Sequence, residues 1–325
     1  MKEVGIACHG LSGGHQIHES IGHLDCARLV AFSGVDVESF NAMRAKFPAA
    51  FAGTQRVESL EEALDNPEVD LVSLCGDRRE AQSRHAQSAL GAGKHVLAEK
   101  PMATNLEALQ QLREAWQASD THLWTMTSMV YEPAVRGLKQ VVDSGALGEI
   151  VQVYVMKSYP YYDGRPQDRG VDGGIMQVGI HAFSMIGFVT GLGFGEMVAQ
   201  DTSVGNPKDG DLQMAANVSC RLSSGALASI VCNYCNPLGM GFWGNDQIRI
   251  HGTRGLAELV DGFTRRVLCV GEGDPVSFDD DDGPPRYPQD IIDAILNGTP
   301  TLLGEKAGFE YTEAALRAQE AIDAR

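Results

Sequence analysis

Short apolar runs alternate with amphipathic segments through the first third of the chain. The apolar runs predict strands over EVGIAC, ARLVAFSG, VDLVSLCG, KHVLAE and HLWTMTSM. The segments between them predict helices over GGHQIHESIGHLD, SFNAMRAKFP, SLEEALDNP, EAQSRHAQSALGAG and NLEALQQLREAWQAS. Because parallel strands need crossover connections, this alternation predicts an α/β domain with a doubly wound, mostly parallel sheet.

The pattern changes from Glu149 onwards, where longer strand-like runs dominate. These runs are EIVQVYVMKSY, QMAANVSCRLS, ALASIVCNYC, DQIRIHGT and LAELV, with turn signals between several of them. They predict an open, mostly antiparallel sheet, with one helix over IMQVGIHAFSMIGFVTG and a last helix over EYTEAALRAQEAIDA. We therefore predict a first domain over residues 1–122 and a second over 123–325, whose last helix packs back on the first.

Composition narrows the classes of partner. The 325 residues are 43% hydrophobic and 21% charged, as in ordinary globular proteins with two domains. The formal net charge of −17 argues against nucleic acid and anionic membranes and favours a small-molecule ligand. We see no apolar run long enough to span a membrane and no signal-peptide pattern. The seven scattered cysteines fit a reducing cytoplasm, which is the predicted location.

A glycine-rich loop follows the first predicted strand. CHGLSGG has the G-x-G-x-x-G spacing of a dinucleotide-binding loop, but Cys8 stands in place of the first glycine. Gly10 and Gly13 hold the second and third glycine positions. We predict that both lie against a pyrophosphate, and that a helix over residues 14–22 directs its N-terminus at that group.

Three histidines, His9, His15 and His18, lie in and just after this loop. On the predicted helix, His15 and His18 would share one face, as two imidazole ligands of a metal do. No carboxylate at a matching spacing completes such a site, so we predict no metal and keep these histidines as an alternative.

Four stretches carry a resemblance to a known family. AGKHVLAEKPMATNLEAL, DSGALGEI, DGGIMQVGIHAF and IRIHGTRGLAEL together resemble the glucose-fructose oxidoreductase / inositol dehydrogenase family, written Gfo/Idh/MocA. The resemblance covers nearly the whole chain. It implies an N-terminal Rossmann domain, a C-terminal α/β domain with an open sheet, and oxidation or reduction of sugars, cyclitols or related polyols with NAD or NADP.

The resemblance implies roles for particular residues of this chain. The lysine of Glu99-Lys100-Pro101 is the family's lysine beside the nicotinamide, and a buried lysine can share a proton with a substrate oxygen. The family's histidine falls on His181, which can accept the proton of the hydroxyl. The acid four residues before it is replaced by Gln177, which completes the predicted catalytic set.

The cofactor site departs from the family pattern. The acid that holds the adenosine ribose after the second strand is replaced by Gly34, which follows Ser33, so the preference between NAD and NADP stays open. The predicted cofactor-binding residues are Cys8, Gly10, Leu11, Ser12, Gly13, Ser33, Gly34, Gly76, Asp77, Glu99 and Lys100.

The segment KSYPYYDGRPQDRGVDGG is the predicted substrate wall. Tyrosines offer flat faces and hydroxyls to a ring substrate, and arginines offer a fork for an anion. The predicted substrate-binding residues are Tyr159, Arg169, Asp172, Gln177 and His181. An exposed tyrosine-rich loop used for subunit contact is an equal alternative.

The residues leave three functions open. The first is an NAD(P)-dependent oxidoreductase. The family resemblance implies that such an enzyme is a homodimer or a homotetramer. The second is a lyase or hydrolase on the same scaffold, in one version with the three histidines as metal ligands. The third is a binding subunit without catalysis, which the presence of both Lys100 and His181 disfavours.

Overall fold

A computed structural model describes residues 2–324 of the chain. It divides the chain into two compact units. The first comprises the residues up to Ser128 and returns for Pro285–Phe309. The second comprises Met129–Pro284 and the residues from Glu310 onwards.

The first unit contains a parallel sheet, as the alternating pattern predicted, with the five predicted strands and one further short strand at Gln55–Arg56. Its strands are β1 (Val4–His9), β2 (Ala27–Ser33), β3 (Gln55–Arg56), β4 (Leu71–Leu74), β5 (His95–Ala98) and β6 (Leu123–Thr125). They lie in the order β3-β2-β1-β4-β5-β6, which is the doubly wound order of Rossmann domains. The prediction of an α/β fold with this first domain is confirmed.

Helices connect the strands of this sheet and begin at polar caps. They are α1 (Val37–Lys46), α2 (Leu60–Leu64), α3 (Gln82–Gly91) and α4 (Leu106–Gln117). Asp36 accepts a hydrogen bond from the Ser39 amide at 2.6 Å, and Asn105 accepts one from the Ala108 amide at 2.8 Å. Such caps satisfy amides that have no partner inside the helix, which fixes where each helix starts.

The helix predicted over residues 14–22 is wrong. The chain forms two 3₁₀ turns there, Ile17–Glu19 and Ile21–His23. The Gln16 side chain donates to the carbonyl oxygens of Leu11 and Gly13, which competes with helix formation at its start. Burial of the His18 ring against a phenylalanine cluster fixes the segment in this irregular path, with ring centroids 5.4, 5.9 and 6.0 Å from Phe32, Phe47 and Phe51.

The second unit contains a seven-stranded sheet. Its strands are β7 (Ile150–Ser158), β8 (Phe194–Thr202), β9 (Ala215–Leu222), β10 (Leu227–Asn233), β11 (Gln247–Gly252), β12 (Gly255–Val260) and β13 (Arg265–Val270). The order is β13-β12-β11-β7-β10-β9-β8, and every neighbouring pair is antiparallel except β7 with β10. The predicted open, mostly antiparallel sheet is therefore confirmed, while β8 and β13 were not predicted.

The remaining helices are α5 (Pro133–Asp143), α6 (Arg169–Asp172), α7 (Ile175–Thr190), α8 (Gln289–Asn297) and α9 (Glu305–Asp323). Helix α7 packs on β7 and β10 and is buried on almost every side. Helices α6 and α7 together are long and apolar enough to pass for a membrane span, but 72% of that window is buried inside the protein. The buried core helix of a protein outside a membrane has the same length and composition, so these two properties are weak evidence for a membrane span.

The two compact units divide after Ser128, six residues beyond the predicted domain boundary between residues 122 and 123. Strand β6 pairs in parallel with β5, so the first unit continues through Ser128. The segment Pro285–Phe309 also belongs to the first unit, where α8 packs near β1 and the Phe309 ring lies 5.3 Å from that of Trp116. Only the first turn of α9 therefore belongs with the first domain.

Candidate active site

The glycine-rich loop owes its path to close backbone contacts. Cys8 lies inside β1 without a positive φ, so the missing first glycine costs the backbone nothing. Gly10 has a φ of +77°, and a Cβ atom there would lie 2.4 Å from the carbonyl oxygen of Cys75. Gly13 has a φ of +109°, and its Cβ would lie 2.7 Å from the Glu99 carboxyl carbon. Both retained glycines are therefore required by the fold.

Two backbone amides of this loop form hydrogen bonds within the protein, and the loop does not lead into the predicted helix. The Gly10 amide donates to Ser33 O at 2.9 Å, and the Ser12 amide donates to Cys75 O at 2.8 Å. With only 3₁₀ turns after the loop, no regular helix directs its N-terminus at a pyrophosphate. That part of the prediction is corrected, because a helix dipole requires several aligned turns.

A buried carboxylate lies under this loop. Glu99 is fully buried, and its Oε2 atom lies 3.0 Å from Nδ1 of His15. The Nζ atom of Lys100 lies 3.8 Å from the other carboxylate oxygen. Burial alone would raise the pKa of Glu99, but the contact and hydrogen bond with His15, followed by the charges of Lys100 and Arg79, outweigh it and lower that pKa. Glu99 therefore remains ionised and fixes both neighbours.

Two polar side chains hold the backbone of the Glu99-Lys100-Pro101 segment. The Gln82 amide group donates to the carbonyl oxygens of Glu99 and Pro101. The buried Arg79 guanidinium donates to Gly76 O at 2.6 Å, to Ser12 O at 2.8 Å and to Lys100 O at 3.3 Å. The sequence analysis missed both residues, although two adjacent arginines after a buried strand were a visible signal.

His9 occupies the space beside Gly34. Its Nδ1 atom lies 3.0 Å from Ser33 Oγ, and its ring lies 4.9 Å from the ring of His85. Gly34 has a φ of +70°, and a Cβ atom there would lie 2.9 Å from Cε1 of His9. An acid placed at residue 34 would therefore collide with His9, which explains why a glycine stands there.

The three histidines of the N-terminal segment have separate surroundings. His9 contacts Ser33 and His85, His15 contacts Glu99, and His18 lies in the phenylalanine cluster. Within residues 2–324, the structure contains no group of three or more His, Cys, Asp or Glu side chains suited to a metal ion. The alternative of a shared metal site on these histidines is therefore not supported.

In the second unit, His181 and Gln177 lie on successive turns of α7. His181 is 1% exposed and Gln177 is 9% exposed. Asp172 ends the short helix α6, where its Oδ1 atom accepts a hydrogen bond from the Gly174 amide at 3.0 Å. Asp172 therefore shapes the turn that leads into α7, and its carboxylate also contributes to the raised pKa of the buried Tyr234, which results mainly from burial.

The predicted substrate arginine already binds two carboxylates. Arg169 Nε lies 2.9 Å from Asp211, and its Nη1 lies 2.8 Å from Asp323. The predicted Tyr159 ring instead lies in an aromatic group, 6.2 Å from the ring of Trp243. Arg169 stays a predicted substrate residue, but a substrate anion would have to compete with these partners.

Residues 2–126 match the family described as "Oxidoreductase family, NAD-binding Rossmann fold", and residues 135–258 match the GFO/IDH/MocA C-terminal domain. The chain belongs to the GFO/IDH/MocA family. The family model matched by its first domain is described as an NAD-binding Rossmann fold.

Named relatives of the family show how far the likeness extends. The chain is 33% identical over 153 residues to 1-carboxy-3-chloro-3,4-dihydroxycyclo hexa-1,5-diene dehydrogenase of Comamonas testosteroni, which covers 46% of this chain and 37% of that protein. It is 28% identical to myo-inositol 2-dehydrogenase of Thermotoga maritima, over 77% of this chain and 73% of that protein. The chain thus spans little more than a third of the first relative.

A solved structure has the same fold over the full length. Aldose-aldose oxidoreductase from Caulobacter crescentus, solved with glycerol, superposes with a TM-score of 0.81 at 22% identity. The match covers 100% of this chain and 99% of that one. At this identity the likeness shows the fold alone.

A buried ion pair in the second unit was missed by the sequence analysis. Lys157, fully buried on β7, contacts Asp246, and its Nζ atom lies 4.6 Å from the Tyr159 ring centroid. Burial alone would lower the pKa of Lys157, but Tyr159 and Asp246 outweigh it and raise that pKa. The Lys157–Asp246 pair therefore places two buried charges beside Tyr159, which is a predicted substrate-binding residue.

Substituting Gly10 with alanine should destabilise the first unit. The left-handed backbone and the contact with Cys75 O predict a loss of about 2 kcal/mol or more. Gly14→Ala is the matched control, because a Cβ there meets nothing within 4 Å. Urea denaturation of both variants measures the difference. Equal midpoints for the two variants would contradict the assigned loop geometry.

Removing one member of the Lys157–Asp246 pair should cost more than removing both. Lys157→Met leaves a buried carboxylate without its cation, for which we expect a loss of about 3–5 kcal/mol. The double variant Lys157→Met/Asp246→Leu should recover most of that loss, because no buried charge remains. Urea denaturation of these two variants and of Asp246→Leu measures the coupling energy, and a loss in the double variant equal to the sum of the two single losses would refute it.

Proposed function

We propose that this protein is an NAD(P)-dependent oxidoreductase that transfers a hydride between the nicotinamide and a carbon of a cyclic polyol, a sugar or a cyclitol. Lys100 and His181 are the proposed proton-handling residues. The observation that carries the proposal is the buried Glu99 carboxylate, which holds Lys100 on one side and supports the cofactor loop at Gly13 on the other.

The proposed cofactor fits the first unit. The amides of Leu11, Gly13 and Gly14 are the ones we assign to the pyrophosphate, since those of Gly10 and Ser12 are used within the fold. A Cβ at Gly14 would meet nothing within 4 Å, so the loop is open on that side. When bound, NAD(P) supplies the hydride acceptor or donor. Without a helix N-terminus, we expect weak binding.

Lys100 is suited to a substrate hydroxyl because its position is fixed. The side chain is almost fully buried, and the backbone on both sides is held by Gln82 and Arg79. An ammonium group beside an ionised carboxylate can donate a hydrogen bond to the hydroxyl oxygen and share its proton with it, which stabilises the negative charge that develops on that oxygen during transfer of the hydroxyl proton to a base. Glu99 keeps the local charge balanced during that transfer.

His181 is the proposed acceptor of the hydroxyl proton. Its burial on α7 excludes bulk water from the imidazole, and Gln177 lies one turn earlier on the same helix. A glutamine can orient a neighbour through hydrogen bonds but cannot share its charge. We therefore expect His181 to work here without the acid that the family resemblance implies.

The proposed substrate class rests on the relatives and on the aromatic group of the second unit. The Comamonas relative is named for a dihydroxylated cyclohexadiene, and the Thermotoga relative for myo-inositol. Both are six-membered carbon rings with hydroxyl groups. The exposed rings of Tyr162 and Trp243, 6.1 Å apart beside Tyr159, offer flat faces suited to such a ring.

We further propose a cytoplasmic homodimer or homotetramer without a nucleic-acid or membrane partner. Strand β9 alternates exposed and buried positions, so one face of its sheet is not covered within the unit. The acidic net charge of −17 argues against polyanionic partners.

The proposal is tested by cofactor binding and turnover together. Purified protein is titrated with NADH and NADPH by nicotinamide fluorescence and then assayed with NAD and NADP on myo-inositol, scyllo-inositol, glucose and a cyclohexadiene diol. We expect binding of reduced cofactor and turnover of at least one ring polyol. Absence of binding at millimolar cofactor would favour the lyase or hydrolase alternative.

Replacing Lys100 with methionine should abolish most of the activity and preserve the fold. Loss of a general acid/base group lowers kcat by about 10²-fold or more. Lys46→Met, at an exposed lysine in the same unit, is the matched control and should keep full activity. Circular dichroism checks the fold, and turnover near the native rate in Lys100→Met would rule out its proton-handling role.

Replacing His181 with alanine should flatten the acidic limb of the kcat/KM profile. An imidazole that accepts the hydroxyl proton must be neutral, so the native rate should fall as pH drops through the range in which imidazoles titrate, around pH 6–7. The variant has no such group, so its lower rate should be level across that range. Survival of the limb in His181→Ala would assign the proton to another residue.

A further inference from the structure

The place after β2 where a Rossmann domain recognises the adenosine ribose has no acid in this chain. An acid there accepts the ribose hydroxyl of NAD, and an arginine there accommodates the 2′-phosphate of NADP. Gly34 can do neither. The His9 ring takes the space of its missing side chain, with Cε1 and Nδ1 at 2.9 and 3.0 Å from where a Cβ would stand.

A second histidine faces the same space. The His85 ring, on α3, lies edge-on to that of His9 with centroids 4.9 Å apart. A Cβ at Gly76 would lie 3.8 Å from both Nε2 of His9 and Nδ1 of His85. Nitrogen atoms of two imidazoles therefore converge beside a glycine at the end of β4, close to the predicted ribose position.

The hydrogen bonds around His9 define which nitrogen is available. Ser33 Oγ lies 3.0 Å from Nδ1 of His9 and 3.5 Å from the carbonyl oxygen of Cys8. We assign the hydroxyl hydrogen to the carbonyl oxygen, which can only accept, and the proton of the neutral ring to Nδ1, which then donates to Ser33 Oγ. The Nε2 atom is then an acceptor in the neutral ring and becomes a donor when the ring is protonated.

Burial keeps His9 neutral in the absence of a ligand. Burial and, after it, the neighbouring His85 lower the pKa of His9 to about 4. Glu61 on α2 and Asp77 after β4 act in the opposite direction but do not outweigh these effects. Burial and Arg84 lower the pKa of His85 as well, against Glu61. The two rings therefore enter the binding reaction uncharged.

We propose that His9, with His85 beside it, replaces the ribose acid and recognises the 2′ position of the cofactor in two ways. Neutral Nε2 accepts a hydrogen bond from the 2′-hydroxyl of NAD. The 2′-phosphate of NADP is bound together with a proton from solvent, so that Nε2 donates to it. This inference rests on the proposed cofactor and adds the residue that reads it.

The two cofactors should differ in the number of protons taken up on binding, a quantity that an affinity at a single pH does not report. A phosphate dianion beside His9 favours the protonated ring, so NADPH binding should take up protons near neutral pH whereas NADH binding should not. If the phosphate returns the imidazole to its ordinary value near 6.5, the uptake at pH 6.5 is about half a proton per NADPH. Both cofactors should bind with affinities within about tenfold of each other.

Calorimetry in buffers of different ionisation enthalpy measures this proton uptake directly. NADH and NADPH are titrated at pH 6.5 into the wild type, into His9→Asn and into His23→Asn, a matched control at an exposed histidine of the same unit. Asn preserves a polar side chain but cannot take up a proton. The 2′-phosphate contributes its own ionisation, so the His9 share is the difference between the wild type and His9→Asn with NADPH.

We expect uptake with NADPH in the wild type and in His23→Asn, its loss in His9→Asn, and none with NADH in any variant. Equal proton linkage for the two cofactors, or uptake unchanged in His9→Asn, would overturn the role of His9. Tight NADH binding with no NADPH-specific uptake would also overturn it while leaving the proposed function intact. Failure of both cofactors to bind would instead refute the proposed function.

Two further measurements keep the test independent of one variant. In the wild type, the nuclear magnetic resonance signal of His9 Cε1–H should titrate near neutral pH with NADPH bound and well below it in the free protein. The double variant His9→Gly/Gly34→Asp, which removes the contact with the His9 ring and places an acid at residue 34, should prefer NADH by tenfold or more. Gly34→Asp alone should bind neither cofactor better than the wild type, because the His9 ring remains in the way.

Discussion

The arrangement of the first unit depends on one buried charge. Glu99 is ionised in the interior at the end of β5, and an isolated carboxylate there would be several kcal/mol too costly to keep. Three residues offset this desolvation cost: His15 from the loop after β1, Lys100 next to Glu99 in sequence, and Arg79 through its charge. A side chain at residue 13 would displace the carboxylate. The glycine loop and the predicted catalytic lysine are thereby parts of one electrostatic unit.

The same constraint shapes the chain around it. Arg79 and Gln82 direct their donors at carbonyl oxygens of the segments on either side of Glu99, so these buried groups satisfy one another. The loop after β1 is consequently held by side-chain contacts where many Rossmann domains rely on a regular helix. A cofactor bound here would meet fixed side chains and a few loop amides, with less help from a helix dipole.

Two histidines of the segment after β1 contact residues that we assign to the cofactor site. His15 pairs with Glu99, and His9 fills the space beside Gly34, where an acid is expected. Unlike a carboxylate or a guanidinium, an imidazole can change its charge near neutral pH when its surroundings change. The second unit shows a parallel exchange on α7, where Gln177 precedes His181, and it keeps a charged pair, Lys157 with Asp246, in its interior.

The sequence by itself determined the architecture and the family. Periodicity separated a parallel sheet from an antiparallel one, because burial on two faces or on one leaves different patterns, and four motifs carried the resemblance. It did not determine the path after the glycine loop. The pattern over residues 14–22 predicted a helix, but the segment adopts an irregular path in which His18 is buried among phenylalanines. Nor could it show that His9 fills the place of the residue missing at Gly34, or that Lys157 meets Asp246, 89 residues away. Those facts depend on contacts between distant segments, which a local pattern does not encode and only tertiary packing decides.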